Sequence, residues 1–352
     1  MNIRLAQQLA QRGWQLRIAV LFDRHESLTS TALKDLDVRR MRATGLLGKL
    51  ALPLRLARMA RDSHVLLGGM ELAATTYGHL AARLSSRPFL SWTHIAFHKH
   101  QTATAWSDRW VARSVYRHVR WIVFPSHGAA DSLSTALGQC PRSGQWQVIE
   151  NFLLPQHNAL IHPPPLPDAF SKPVVIGLGR LVKQKAFHRL ICAHAMLRDR
   201  GVDHHLVLLG DGPLRQELLA LATRLGVDKT VFLPGHVPDP ANWLAHSSVF
   251  GLCSEYEGFP LAILEAMQAG VPIVSMDCPS GPREALDGGR FGALVPDGDQ
   301  RAFESALHEL LQSPERRVHY SRLGKERAEY YSAERIVPLW EDLLLRVARS
   351  RP

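Results

Sequence analysis

Cysteine is scarce in this chain, and the four present (Cys140, Cys192, Cys253 and Cys278) form no C-x-x-C pair and sit among apolar or small neighbours. That arrangement suits reduced, buried thiols and excludes a disulfide scaffold or a structural zinc site. No uncharged apolar run reaches the roughly 18 residues that a membrane-spanning helix needs. The opening, MNIRLAQQLAQRG, carries polar residues every second or third position where a secretory signal would be apolar. A cytosolic location is the expectation from these absences. Disorder and fibrous repeats are excluded by composition, because 46% of residues are apolar and 21% charged, close to the globular average. At 352 residues the chain exceeds one small module and accommodates two domains.

Acidic residues are short in one half only. Residues 1–154 hold 20 basic and 9 acidic side chains, a net of +11, whereas residues 155–352 hold 22 and 23, a net of −1. The positive excess therefore belongs to the first half and points to an anionic partner there. Residues 39–61 contain seven basic side chains and no acid. With a helix opening at Pro53, Leu52, Leu56 and Met59 fall on one side and Arg55, Arg58 and Arg61 on another. Such an element is either an ordinary surface helix or a dock on an anionic membrane surface, at roughly 1 kcal/mol per basic residue near the headgroups. No nucleic-acid partner is expected, since neither a stacking motif nor a recognition-helix pattern accompanies the charge.

Strand-like apolar runs alternate with helical patterns almost throughout. QLRIAVLFD (15–23), HVLLGG (64–69), RPFLSW (87–92) and RWIVFPS (120–126) read as strands of a first α/β domain with a parallel sheet, 1–154. Residues 155–173 then hold six prolines, which admit neither a regular helix nor a central strand, so 155–172 reads as a linker. The alternation restarts in 173–332 with strands at 173–179, 204–210, 230–235, 247–253 and 271–276, and helices at about 187–200, 214–225 and 260–269. From about 300 to 349 the pattern is helical, and a last helix in 333–352 is expected to pack back across the domains.

In open parallel sheets, ligands bind beyond the carboxyl ends of the strands. One such loop is GLGRLVKQK, where Gly177 and Gly179 end a strand and Arg180 and Lys185 follow. Glycine lets the backbone approach a ligand, and two cations five residues apart can flank a diphosphate; taken alone, such a basic loop is more often a solvated surface. The other is SEYEGFPLAILEAMQAG, residues 254–270. Glu257 precedes a helix opening at Pro260, and Glu265 lies within it, one turn beyond Leu261, so both carboxylates can look into one cleft. The amides near Phe259, Leu261 and Ala262 at the helix start suit a phosphate, and carboxylates beside them suit sugar hydroxyls. The competing reading is that Glu257 caps the helix and Glu265 meets solvent; the apolar surroundings ILEAM argue for a polar partner of Glu265.

Taken together, GRLVKQKAFHRL, GDGPLRQEL, VFLPGHV, SEYEGFPLAILEAMQAGVPIV, DCPSGPREAL and GALVPDGD resemble, in this order over about residues 173–298, the motifs of retaining glycosyltransferase family 4 of bacterial polysaccharide assembly. LAQQLAQRGWQLRIAV, RWIVFPSHGAADSL and QWQVIEN match the first half more loosely. The resemblance implies a GT-B fold, two Rossmann-like doubly wound α/β domains with a cleft between them. It further implies transfer of a hexose or N-acetylhexosamine, with retention, from a nucleotide diphosphate sugar, UDP preferred, to a lipid-linked or growing polysaccharide acceptor. Arg180 and Lys185 would contact the diphosphate and Glu265 the ribose hydroxyls. Glu257 would face the donor sugar, and the amides near Phe259 and Leu261 would support its phosphates. Gly179 belongs to the diphosphate loop, and Gly235 to the loop beside the base. In the first domain His94 of SWTHIAFH falls where the family often has a histidine near the donor sugar, although His98 and His100 are close by. With two fixed cations and the helix dipole to stabilise the leaving group, no cofactor or metal is expected; no D-x-D motif is seen after a strand to hold one. A lipid-linked acceptor and the basic segment 39–61 together suggest a peripheral position on the inner face of the cytoplasmic membrane.

Two departures stand against the family pattern. The first strand and glycine-rich turn are missing before LAQQLAQRG, which implies either a start upstream or an impaired copy. Ala186 stands where the family commonly has glycine after the lysine, tolerable unless that residue needs a positive φ. A GT-B sugar-nucleotide epimerase and an inactive membrane-binding relative truncated at the N-terminus are the rival readings.

Overall fold

The computed structural model describes residues 1–22, 36–41, 45–94, 96–97, 113–138, 145–155 and 167–350. Cys140, His98, His100 and most of the proline-rich segment lie outside the described residues. Contacts divide the chain into two units, residues 1–154 with 333–352, and residues 155–332.

In the first unit α1 (Asn2–Gln11) precedes β1 (Arg17–Val20), which pairs in parallel with β2 (Asp37–Arg40). Then come α2 (Gly45–Met59), β3 (Leu66–Gly68), α3 (Ala73–Ser85), β4 (Phe89–Trp92), β5 (Trp121–Phe124), α4 (His127–Leu137) and β6 (Trp146–Val148). β3 to β6 form a four-stranded parallel sheet in sequence order. α4 shows why a boundary falls where it does: Ser126 Oγ accepts from Ala129 N–H at 3.1 Å, and Gly138 closes the helix in the left-handed region. α2 departs from expectation, opening at Gly45 and carrying Pro53 in its interior. The apolar residues ahead of Pro53 continue the helical pattern, and burial of Leu52 and Leu56 beside α3's Ala81 offsets the lost backbone bond.

The second unit holds β7 (Val174–Leu178), α5 (Phe187–Asp199), β8 (His205–Leu209), α6 (Arg215–Arg224), β9 (Val231–Gly235), α7 (Pro240–Ala245), β10 (Val249–Leu252) and α8 (Leu261–Ala269). β11 (Ile273–Asp277), α9 (Pro282–Ala285), β12 (Ala293–Pro296), α10 (Gln300–Gln312) and α11 (Pro314–Tyr330) follow. The six strands are all parallel in the order β12-β11-β10-β7-β8-β9. Near-continuous apolar runs such as HLVLL are what a strand covered on both faces requires. The order reverses between β7 and β10, which lie side by side with Val175 opposite Val249. That switch point is where an open sheet splays its carboxyl-end loops.

The helical stretch 300–349 is three helices, of which α10 and α11 belong to the second unit and α12 (Ala333–Arg349) to the first. α12 is part of the first unit's core: its Val337, Trp340 and Leu344 pack with Leu5 and Leu9 of α1 and with Leu90 and Trp92 of β4. The Trp92 and Trp340 rings lie 4.4 Å apart. Glu341 accepts from Arg12 and from Trp14 Nε1, each at 2.9 Å.

Within the second unit, His194 of α5 joins a buried chain, its Nδ1 2.9 Å from His204 Nε2 and its Nε2 2.9 Å from Thr230 Oγ1. His204 Nδ1 faces the Val202 carbonyl at 2.9 Å, which makes it the donor there and leaves its Nε2 to accept from His194. Burial, helped by His204, pushes the His194 imidazole down to about 3. Because the unfolded histidine takes up a proton near its ordinary value of about 6.5, stability is expected to fall as pH drops from there towards 3, by up to about 1.4 kcal/mol per pH unit. Urea midpoints between pH 7 and pH 5 check this, and His194→Gln should flatten the dependence.

Candidate functional site

Three strand-to-helix loops meet at the carboxyl end of the second unit's sheet. The first follows β7. Gly179 N–H donates to the Leu209 carbonyl and Leu181 N–H to the Asp211 carbonyl, each at 2.9 Å, so the GDGPL segment props the GLGRL segment. Glycine is required at 210, where a Cβ would lie 2.0 Å from the Gly179 oxygen. At 179 a Cβ would press on the Lys185 stem at 3.2 Å, so glycine there gives the lysine its path. Ala186 takes φ +47° with its methyl buried, so the conformation that glycine would accept freely is present, at about 1 kcal/mol for an L-residue.

The second loop follows β10 and is stitched to the first. Glu255 N–H donates to the Gln184 carbonyl at 2.8 Å, and Gln184 Nε2 donates to the Tyr256 carbonyl at 3.0 Å. These bonds bring Lys185 Nζ to 2.6 Å from Glu257 Oε1. The side chains are 19% and 8% exposed, so the pair is largely removed from water. Ser254, itself buried, donates from Oγ to the same oxygen at 2.7 Å. Glu257 therefore does not cap α8; its Oε1 is fixed by a cation and a hydroxyl.

The third loop, after β11, closes over the second. Glu257 N–H donates to the Pro279 carbonyl at 3.2 Å and Ser280 Oγ to the Gly258 carbonyl at 3.0 Å. Gly281 sits at φ +98°, where a Cβ would be 2.6 Å from Pro260 Cδ. α8 opens at Leu261 with Pro260 as its N-cap and no side-chain cap, so its first amides keep the positive end of the helix unscreened by a side chain. Phe259 is buried and its ring meets Tyr331 edge-on at 5.4 Å. Glu265 is half-buried on α8 and Arg180 is exposed. Burial raises the Tyr256 phenol, and the charge of nearby Arg180 works against that rise. Gly235 ends β9 at φ +90°, and the neighbouring Arg215 donates to the Leu233 carbonyl at 2.6 Å.

Cys253 donates from Sγ to the Ala186 carbonyl at 3.2 Å, and burial pushes its thiol up to about 12. Burial and the Glu257 carboxylate likewise raise Cys278. Both thiols are packing groups around the loops. A D-x-D sequence does follow a strand, contrary to expectation: Asp297-Gly298-Asp299 comes after β12. Asp299 caps α10, accepting from Ala302 N–H at 2.9 Å, and Asp297 lies 3.9 Å from Arg189. Among the described residues no cluster of three histidine, cysteine or acidic side chains could hold a metal ion, and no helix is long and apolar enough to cross a membrane.

His94 belongs to the first unit, just after β4. Its Nε2 is 2.8 Å from the Gly69 carbonyl, which makes Nε2 the protonated nitrogen and Nδ1 the acceptor. Its amide donates to the Glu71 carboxylate. Burial holds the imidazole below its ordinary value, with the Glu71 charge opposing, so the ring is neutral at pH 7. Sequence reasoning missed Ser254, Gln184 and the 279–281 loop. The one local signal for Ser254 is its place directly after an apolar strand and three residues before Glu257.

The switch-point arrangement and the parallel sheets of both units define a GT-B glycosyltransferase fold. Anabaena HepE, solved with UDP and glucose, superposes with a TM-score of 0.82 at 19% identity, over 98% of this chain and 95% of that one. Residues 165–327 match the glycosyl transferases group 1 family. The lipopolysaccharide core biosynthesis glycosyltransferase LpsE of Rhizobium meliloti is 32% identical over 240 residues, 68% of this chain and 67% of LpsE. The chain belongs to the glycosyl transferases group 1 family. The N-acetylgalactosamine-N,N'-diacetylbacillosaminyl-diphospho-undecaprenol 4-alpha-N-acetylgalactosaminyltransferase of Campylobacter jejuni is 32% identical over 168 residues, 48% of this chain and 45% of that enzyme. The chain spans about half the length of that and other curated relatives it matches.

Breaking a buried pair by removing one partner is costly, whereas removing both is much less so. Lys185→Met is accordingly expected to lower stability by about 3 kcal/mol, read from the urea midpoint, and Glu257→Gln added to it should restore most of the loss.

Proposed function

We propose that this chain is a retaining glycosyltransferase of family 4 that moves a hexose or N-acetylhexosamine from a UDP-sugar to a lipid-linked or growing polysaccharide acceptor. The observation that carries the reading is the buried Lys185–Glu257 contact at the β7–β10 switch point, beside a helix start without a side-chain cap. The names of LpsE and of the Campylobacter enzyme support a bacterial glycan acceptor, and the UDP and glucose bound by HepE support the donor class.

In this reading the bond from the anomeric carbon to the phosphate oxygen breaks as the acceptor oxygen bonds to the same face of that carbon, and the acceptor hydroxyl passes its proton to the departing phosphate oxygen. Charge develops on the departing diphosphate. Arg180, Lys185 and the first amides of α8 lower the barrier by meeting that charge with groups already in place. Glu257, its Oε1 fixed by Lys185 and Ser254, offers Oε2 to a sugar hydroxyl. Glu265 takes the ribose hydroxyls, and the loop at Gly235 lies beside the base. The neutral His94 presents Nδ1 as an acceptor towards the donor sugar. The chemistry as drawn uses no metal. The enzyme works peripherally on the inner face of the cytoplasmic membrane, drawn there by the basic segment 39–61.

Replacing a phosphate-binding cation removes a charge-assisted contact, so Arg180→Ala with Lys185→Met should weaken UDP binding in calorimetry by about a hundredfold. His94→Ala should lower turnover at least about tenfold with UDP affinity little changed. Unchanged UDP affinity in a folded double variant would sink the diphosphate site. An epimerised nucleotide sugar formed without acceptor would replace transfer by epimerisation.

A further inference from the structure

A surface helix ordinarily buries one apolar stripe and shows water a polar one. α2 does not. It buries Leu52, Leu56 and Ala57, yet it also exposes Leu46 by 74%, Leu47 by 82%, Leu50 by 66% and Leu54 by 54%. At about 100° per residue, these four leucines fall in one stripe roughly 100° wide, on the side opposite Leu52 and Leu56. Lys49 borders one edge of the stripe, and Arg58 and then Arg55 lie beyond the other; all three are exposed. Among the described residues none of these cations forms an ion pair. In the second unit the exposed Met196, Leu225 and Val318 stand far apart in sequence, as isolated surface apolar residues commonly do.

Water does not account for a leucine stripe, and charge attraction alone gives no use for it. A second copy of the chain would bring the same cation-rich helix against itself, and segment 39–61 offers no acid to relieve the repulsion. An acidic protein would satisfy the cations and leave the leucines to find a separate apolar pocket. An anionic bilayer supplies both chemistries in one layer, acyl chains beneath and phosphates around them.

We propose that α2 lies in the plane of an anionic membrane with Leu46, Leu47, Leu50 and Leu54 sunk among the acyl chains and Lys49, Arg55 and Arg58 at the phosphate level. This rests on the membrane-docking part of the reading above and changes its nature, from attraction at a distance to insertion. The two differ in salt dependence. Charge attraction fades as the screening length shrinks from about 10 Å at 0.1 M salt to about 3 Å at 1 M, whereas burial of leucine does not.

The test is co-sedimentation of the full chain with vesicles of phosphatidylglycerol and phosphatidylcholine at about 0.1 M and about 1 M salt. Wild type should remain partly bound at high salt. Leu47→Gln with Leu50→Gln and Leu54→Gln should lose about tenfold or more in partitioning at both salts, and Lys49→Gln with Arg55→Gln and Arg58→Gln should lose chiefly at low salt. Leu50→Trp should gain fluorescence that brominated lipid quenches. Leucine variants that bind as wild type does, with the added indole emission of Leu50→Trp unquenched, would overturn insertion and leave charge docking standing. Wild type that never sediments with vesicles would overturn docking altogether. A dimer in sedimentation equilibrium without lipid that the leucine variants abolish would show that a second copy covers the face, which also overturns the proposal. UDP binding is measured alongside: if the leucine variants keep it they are folded, and if wild type lacks it the transferase reading fails independently of the vesicle result.

Discussion

The second unit is organised around one desolvated ion pair. Lys185 and Glu257 are 72 residues apart in the chain and meet at 2.6 Å because β7 and β10 are neighbours in the sheet. A largely buried charge pair is tolerable only when the remaining hydrogen-bonding capacity is met. Here the loops supply it: Ser254 bonds the same carboxylate oxygen, and Gln184 bridges to the Tyr256 carbonyl. Each glycine that the loops require follows from that closeness. Gly210 lets the 179–182 segment settle on the GDG turn, and Gly281 lets the 278–281 loop lie against Pro260. Changing the approach of any of the three loops would separate the charges.

The first unit depends on a different economy. Its β1–β2 pair is short and half-exposed, and much of its core is assembled from the two ends of the described chain. α1 contributes Leu5 and Leu9, and α12 contributes Val337, Trp340 and Leu344. Loss of α12 would remove Trp340 and uncover Trp92, two of the largest fully buried side chains. The Ala333 amide donates to the Leu153 carbonyl at 3.0 Å, which ties the returning helix to the end of the first unit's own chain.

The fold is largely legible in the sequence because parallel strands covered on both faces write themselves as apolar runs. VVIGL, HLVLL and VFGL each fall within a segment that reads as a strand, and α5, α6 and α8 fall within a residue of the expected bounds. Short or half-exposed strands carry no such signature: DVRR of β2 and WQV of β6 are strands only because a neighbour pairs with them. The start of α2 lies ahead of the expected one because proline is common in a first helical turn, while here packing of Leu52 and Leu56 carries the helix through it. Charge and glycine spacing identify Lys185 and Glu257 among the loop residues but not Ser254. A serine's role depends on where its hydroxyl points, and only the three-dimensional path of the loop fixes that.

For the donor site proposed above, the charge count at the switch point gives a reason for two cations where one already sits buried. With Lys185 paired to Glu257, a diphosphate bearing about two negative charges would meet no net positive charge from the pair. The start of α8 offers roughly half a unit. In that proposal exposed Arg180 would supply the further unit, while Lys185 is held by Glu257. Fixing Lys185 in advance avoids ordering a long side chain on binding. Leaving Arg180 in water avoids burying a second, unpaired cation before the ligand arrives. The proposed division into one preorganised and one solvent-exposed cation is thus what lets a binding loop be stable without its ligand and still carry net positive charge for one.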